Sequence, residues 1–225
     1  MNRTLICCAV VLAVCAALNA APVACLGSPF SLTPGGASPT IACGGITFTN
    51  FSLLNLSGQN AGHLDITNVT FDSATGLVTL SENPNLGSGG HENLIYTVSG
   101  PLVSAGMSVG GTSATVIERA CANPIPTTGV LANLCTDSSQ TTSATPLTEL
   151  IVHSGDANQP VTGSFAQATT AYVYKDIGAS SGGSLNSLQE SFGSMSSVPE
   201  PSSLLLLSAA MLGLVGMAAV RPRRS

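Results

Sequence analysis

The side chains best suited to nucleophilic chemistry in this chain are its serines and its three histidines, His63, His91 and His153. A serine nucleophile needs a histidine base nearby, and a strand-to-helix turn usually presents it. No segment in the middle of the chain has helical periodicity, so no such turn is expected. We therefore predict no catalytic residue.

The histidines also lack the close spacing of a metal site, such as His-x-x-x-His. Each lies beside a turn or a strand end, where a solvated side chain is expected. Calcium suits extracellular loops better, because carboxylates and carbonyl oxygens supply its ligands. Four residues are calcium candidates by type, namely Asp65, Asp72, Asp156 and Asn158. No loop has the spaced acidic pattern of a calcium motif, so we predict no metal and no cofactor.

Sugar chemistry has little support in the sequence. Glycoside hydrolysis needs two carboxylates about 5–9 Å apart, and the eleven acidic residues form no pattern that suggests such a pair. Tyr172 and Tyr174 alternate along one predicted strand and share a face with each other. That face is either a surface on which a sugar stacks or a half-buried packing pair, and packing is favoured.

The first twenty residues have the three zones of a secretory signal peptide. Arg3 makes the start basic, an apolar run follows over residues 5–18, and small residues precede Pro22. We expect cleavage after Ala20. A buried N-terminal helix and a lipoprotein signal ending before Cys25 are the alternatives, and both fit the pattern less well.

Four cysteines remain after the leader, and an even set in an exported chain predicts disulfides. Cys25 and Cys43 bracket a loop rich in Gly, Pro and Ser, while Cys121 and Cys135 bracket a second loop. Of the three possible pairings, we prefer these two local ones. Each would stabilise the fold by about 3 kcal/mol on the chain-entropy model. A zinc site is the alternative, but the close cysteine pairs of zinc fingers are missing.

Short runs rich in β-branched and aromatic residues predict several strands, at residues 46–54, 63–71, 77–81, 94–99, 113–119, 148–153 and 170–177. In the first run, Ile46, Phe48 and Asn50 are expected on one face, with Thr49 and Phe51 on the other. Many strands without helices predict an all-β ectodomain at residues 21–179, with an antiparallel sandwich or jelly-roll-like fold. A barrel and a β-helix are alternatives. Residues 180–197 are expected to form a terminal strand and a flexible stem.

Charge is sparse, at 8% of residues against about a quarter in ordinary domains. Between Ala21 and Val198 there are ten acidic residues and only two basic ones, Arg119 and Lys175. An acidic middle of this kind argues against nucleic acid or an anionic membrane surface as a partner.

The last 28 residues, 198–225, have three contiguous parts. They are the segment Val198, Pro199, Glu200 and Pro201, the apolar stretch 204–220, and a basic end with Arg221, Arg223 and Arg224. The apolar stretch would span roughly 26 Å as a single transmembrane helix. Positive flanks stay on the cytoplasmic side, so the preceding domain would lie outside.

These three parts, in this order, resemble the sorting signal of the PEP-CTERM proteins of Gram-negative bacteria, which an exosortase recognises. The resemblance implies processing near Pro199, Glu200 and Pro201, removal of the helix, and delivery of the ectodomain from the inner membrane to the cell surface or an extracellular polymer. A plain single-pass anchor is the alternative. The middle of the chain also resembles uncharacterised ectodomains of PEP-CTERM proteins, which implies no activity.

The sequence thus predicts an exported, non-enzymatic protein of the cell surface or extracellular matrix, with a structural or interaction role. Its expected partners are an exosortase, of which it is the substrate, and an extracellular polysaccharide. A carbohydrate-binding module of the cell surface and a secreted hydrolase are the alternative functions.

Overall fold

The ectodomain is built from β-strands and turns. The structure is a computed structural model that describes residues 21–54, 62–130 and 132–194. These residues form nine strands: β1 (Val23–Ala24), β2 (Phe30–Leu32), β3 (Ile41–Cys43), β4 (Ile46–Leu54), β5 (Leu64–Asp72), β6 (Leu77–Asn83), β7 (His91–Cys121), β8 (Thr148–His153) and β9 (Val161–Ser194). No helix occurs within these ranges, which confirms the all-β class. The expected signal peptide and transmembrane helix lie outside them.

Among the described segments, none is a helix of the length and hydropathy that crossing a membrane requires.

The strands form one antiparallel sheet, which curls. Its order is β1-β5-β6-β9-β7-β4-β3, and β2 and β8 are added beside β5 and β7. The sequence predicted separate strands at 94–99 and 113–119, but both belong to β7. Pro101 and the Gly110–Gly111 pair coincide with register shifts in the pairing of β7 with β9. Such bulges bend a strand without ending it, so β7 and β9 can turn around the core.

A disulfide joins the two ends of the curled sheet. Cys25 directly follows β1, Cys43 is the last residue of β3, and their Cα atoms lie 5.4 Å apart. The β3–β4 turn packs against β5, because a Cβ added at Gly44 would lie 2.2 Å from the ring of Phe71. Gly44 also has a φ of 56°, which favours glycine. The curl is therefore closed by a covalent bond and by close packing.

The face assignment predicted for β4 is wrong beyond Thr49. The pairing of β4 with β7 shifts between Thr49 and Ser52, and Asn50 has a φ of 57°. A bulge inserts one residue and so reverses the alternation that follows it. As a result, Phe51 is buried together with Ile46 and Phe48.

The hydrophobic core lies on the inner face of the curl. Phe48 of β4 and Phe192 of β9 have ring centroids 5.8 Å apart, although β7 separates these strands in the sheet order. Phe51 stacks on Tyr96 at 5.2 Å. The inner face of the sheet therefore contacts itself, and charged side chains that point inward must meet each other there.

Candidate functional site

Five ionisable side chains meet inside the curl, and all are almost completely buried. The Lys175 ammonium lies 2.7 Å from Oε1 of Glu82 and 2.5 Å from Oε2 of Glu190. The Tyr96 hydroxyl donates a hydrogen bond to the same Oε2 of Glu190, and the Glu118 carboxyl is close enough for the charge of Glu190 to act on it. The exposed fraction is 2% for Glu82 and 0% for the other four. We call these residues the buried cluster.

The strand pairing explains how the buried cluster forms. Glu118 lies directly opposite Lys175 in the pairing of β7 with β9, so both point to the same face. Glu190 lies opposite Leu80, and Glu82 is two residues farther along β6, which places both carboxylates on the inner face as well. The curl brings this part of the sheet against Lys175.

Burial and mutual charge set the protonation of the buried cluster. Burial raises the pKa of Glu118 well above its ordinary value, and the charge of Glu190 raises it further. Both Glu118 oxygens are buried, and no hydrogen bond in the described ranges stabilises their charge, so the carboxyl is held in its protonated form. Burial also raises the pKa of Glu82, to about 7, and Lys175 only partly opposes this.

Lys175, the cation of the buried cluster, keeps its charge, whereas burial favours the neutral form of the carboxyl groups. Burial alone lowers the pKa of Lys175, but the charges of Glu190, Glu82 and Glu118 outweigh burial, and the pKa rises above the ordinary lysine value. The ammonium also lies 5.2 Å from the centroid of the Tyr96 ring, a cation–π contact. The site can therefore hold and exchange protons among its own side chains, while its burial keeps substrates out.

A second buried carboxylate, Glu92 of β7, lies apart from the cluster. It is 1% exposed and lines a cavity of about 200 Å³ beside Gly62, His63 and Asn85. That volume is below the roughly 300–1,000 Å³ typical of small-molecule sites. Burial raises the pKa of Glu92 to about 7, and a backbone hydrogen bond from Gly62 opposes the rise only in part.

Glu92 predicts that stability falls as the pH rises from about 4.5 to about 7. The folded state holds the Glu92 proton more tightly than the unfolded chain, whose carboxyl has the ordinary pKa of 4.5. The gain is therefore complete below about 4.5 and is lost as the pH rises through 7. At pH 8, we expect Glu92→Gln to be more stable than wild type by roughly 1–2 kcal/mol, as measured by urea unfolding; this is less than the full pKa change implies, because Glu92 lines a cavity where solvent screens its charge.

The control for Glu92 is Glu149→Gln, which removes a partly exposed ion pair with Arg119. We expect Glu149→Gln to change the free energy of unfolding by less than about 1 kcal/mol. If the difference between Glu92→Gln and wild type is the same at pH 4.5 and pH 8, Glu92 is ionised in the folded protein and the prediction is wrong.

Three of the four candidate calcium residues, all but Asn158, accept local hydrogen bonds. Asp72 accepts hydrogen bonds from the amide of Ala74 and the hydroxyl of Thr75, and Asp156 accepts one from the amide of His153. Asp65 accepts one from Ser31 in the neighbouring strand β2. Across 21–54, 62–130 and 132–194, no group of three or more His, Cys, Asp or Glu side chains is placed to hold a metal ion.

The two tyrosines that alternate in the sequence, Tyr172 and Tyr174, lie within β9. Tyr174 is 4% exposed and packs with Cys121, Cys135 and Ile125, while Tyr172 packs against the same group. This arrangement is the packing pair that the sequence favoured over a sugar surface.

Two Gly-x-Ser-x-Gly pentapeptides, residues 106–110 and 178–182, lie inside β7 and β9. Neither is the strand-to-helix turn that presents a nucleophile.

The predicted cysteine pairs are both present. Cys25 is bonded to Cys43, and Cys121 is bonded to Cys135. The predicted sorting residues lie outside the described part of the chain: Val198, Pro199, Glu200, Pro201, Arg221, Arg223 and Arg224. The buried cluster was not predicted from the sequence, although its charged residues alternate with core residues, as in Val116, Glu118 and Ala120.

Comparison with known proteins assigns the C-terminal residues. The family model of the PEP-CTERM protein-sorting motif matches residues 197–224. No curated protein and no solved structure matches the chain. The match includes the Pro-Glu-Pro segment, the apolar stretch and the arginines through Arg224. The chain therefore carries a PEP-CTERM protein-sorting motif, which indicates export and exosortase-dependent sorting to the cell surface.

Proposed function

We propose that this chain supplies a structural or interaction domain to the cell surface or the extracellular matrix, without catalysis. The sorting motif at residues 197–224 carries the proposal, because it directs the ectodomain to a place where it must persist outside the cell. Two disulfides and the buried ion pairs of Lys175 with Glu82 and Glu190 support a durable fold. The curled antiparallel sheet, with its core on the inner face, supports a sandwich-like or jelly-roll-like architecture for this domain.

The proposed route begins with a signal peptide at residues 1–20 and a transient anchor in the inner membrane, helix 204–220. The exosortase then cuts near Pro199, Glu200 and Pro201 and releases the ectodomain to the surface, where an extracellular polysaccharide is its partner. The acidic middle of the chain, with ten acidic and two basic residues, supports a neutral polymer rather than nucleic acid.

Replacing Pro199, Glu200 and Pro201 by alanine is expected to abolish processing in the native host. The substitution removes the residues that the sorting enzyme is proposed to recognise while the apolar stretch and the arginines remain. Intact mass and terminal sequencing should show wild type ending near residue 200 and the variant retaining Ser225 in the membrane fraction. Ser196→Ala, just before the matched residues, is the control and should be processed like wild type.

The structural role has its own test, which is the distribution of the processed protein between envelope, polymer and medium. We expect most of it to sediment with the envelope or the extracellular polymer. A processed protein that stays freely soluble and binds neither fraction contradicts the structural role, even if sorting itself is correct.

A further inference from the structure

We propose that the buried cluster forms an internal covalent crosslink, an amide bond between Nζ of Lys175 and the side-chain carboxyl carbon of Glu190. The proposal is independent of the sorting function, because it rests on the geometry of the ectodomain. Lys175 and Glu190 both belong to β9, but they lie in parts of that strand with different neighbours. Lys175 pairs with Leu94 and Glu118 of β7, whereas Glu190 pairs with Met107 of β7 and Leu80 of β6.

The nucleophile and the electrophile are already in contact. Nζ of Lys175 lies 2.5 Å from Oε2 of Glu190, and the fold holds both side chains with no measurable exposure to solvent. Fixing two reactants in this way is equivalent to a very high local concentration, about 10⁵ M or more in well-oriented cases. The fold therefore supplies the positioning that free lysine and glutamate lack in water.

Glu82 is the base that frees the amine. An ammonium has no lone pair, so Lys175 must lose a proton before it can attack. Its hydrogen bond to Oε1 of Glu82 is 2.7 Å long, which gives a direct path for that proton. This proton transfer replaces two charges by two neutral groups, an amine and a protonated carboxyl. It costs less free energy in a low-dielectric interior than in water, because the interior solvates the two charges poorly.

Glu118 and Tyr96 activate the Glu190 carboxyl. Burial keeps the Glu118 carboxyl protonated, and its proton can convert the Glu190 carboxylate to the acid, whose carbon is electrophilic. The Tyr96 hydroxyl donates to Oε2 of Glu190 and stabilises the negative charge that develops on oxygen during attack. Neither oxygen of Glu118 has a hydrogen-bond partner in the described ranges, so no other group in those ranges accepts its proton.

The reaction balances without an oxidant or any other reactant. Glu82 takes one proton from the ammonium, and Glu118 gives one to Glu190. The Nζ lone pair of Lys175 then forms the N–C bond. Glu118 carries a proton from this nitrogen to the hydroxyl of the protonated Glu190 carboxyl, the C–O bond breaks, and the hydroxyl leaves as water. One water molecule leaves, and one proton stays on the Glu82–Glu118 pair. Burial slows hydrolysis of the product because water cannot re-enter easily.

A tryptic map of the full-length chain tests the crosslink, because Arg119 and Lys175 are the only basic residues between Arg3 and Arg221. After reduction of the disulfides, an unmodified chain yields one peptide covering 120–175 and another that begins at residue 176. An acylated Lys175 blocks cleavage. We expect a single peptide that begins at Ala120, lacks the cut after Lys175, and is lighter than its sequence mass by one water molecule.

Three variants assign the roles. Lys175→Arg keeps the positive charge and the trypsin site, and we expect it to be cleaved and to have the full sequence mass. Glu118→Gln removes the proton donor and should slow crosslinking by about 100-fold in a pulse-chase mass measurement. Glu92→Gln changes a buried glutamate of the same strand outside the cluster, and we expect it to crosslink as wild type does.

The wild-type map decides the matter even if a variant fails to fold. Recovery of both separate peptides at full mass, with cleavage after Lys175, overturns the proposal. A branched product that joins Lys175 to the peptide containing Glu82 overturns the assignment of Glu190 as the electrophile. A folded Glu118→Gln variant that crosslinks as fast as wild type overturns the role of Glu118.

Discussion

Lys175→Met is expected to lower the free energy of unfolding by about 3–5 kcal/mol, since removing one partner of a buried ion pair leaves buried charge uncompensated. Methionine fills nearly the same volume, so the loss reports charge rather than a cavity. Glu82 and Glu190 lose the ammonium that lies 2.7 and 2.5 Å away. Urea unfolding at pH 7 measures the loss against wild-type chain of full sequence mass, in which Lys175 and Glu190 are still an ion pair.

The pH dependence of this loss identifies its cause. Protonation makes the stranded carboxyl groups neutral, so the difference between wild type and Lys175→Met should shrink as the pH falls from 8 to 5. Arg119→Met is the matched control, because Arg119 is the other cation of the described ectodomain and its ion pair with Glu149 is partly exposed. It should cost about 1 kcal/mol or less. Equal losses for both variants would contradict the assignment of Lys175 as the essential buried cation.

Replacing Cys25 and Cys43 together by alanine is expected to cost about 3 kcal/mol, the chain-entropy value for a loop of this size. This disulfide spans 18 positions and joins the two ends of the sheet, so its loss should also open the curl locally. We expect faster amide hydrogen exchange in β1 and β3 than in the centre of β9. Urea unfolding and hydrogen exchange measure the two effects.

The second disulfide is the matched control for the first. Cys121 and Cys135 are separated by 14 positions, so their double alanine variant should lose a similar free energy. Its exchange should increase in the loop after β7 instead of at the sheet ends. If loss of Cys25–Cys43 leaves exchange in β1 and β3 unchanged, hydrogen bonding and packing alone hold the curl closed.

Local sequence patterns predicted strands β4, β5, β6 and β8 well because alternation and turn residues are local properties. Strand β8 has the predicted bounds, and β5 and β6 differ by only one or two residues at their ends. The bulge at Asn50 was not predictable in the same way, because it depends on pairing with β7. The continuity of β7 through Pro101 was missed for a similar reason, since proline ends most strands but is accommodated at a bulge.

The buried cluster has a sequence pattern, charged residues at core positions of a strand, that the overall composition does not reveal. Lys175 alternates with Val173 and Ile177, and Glu190 alternates with Leu188 and Phe192, so both charged residues occupy core positions of β9. A charge in phase with core residues predicts a buried partner of opposite sign. Which strands supply that partner depends on the curl of the sheet, and no local pattern contains that information.

The position of β9 determines how the ectodomain resists a force applied at its C-terminal end. Residues 188–193 of this strand pair with β6 on one side and with β7 on the other. The sorting motif begins three residues after Ser194. Tension applied through the tail would thus enter an interior strand along its length and load both hydrogen-bond ladders in shear, so that many bonds resist together instead of opening one at a time.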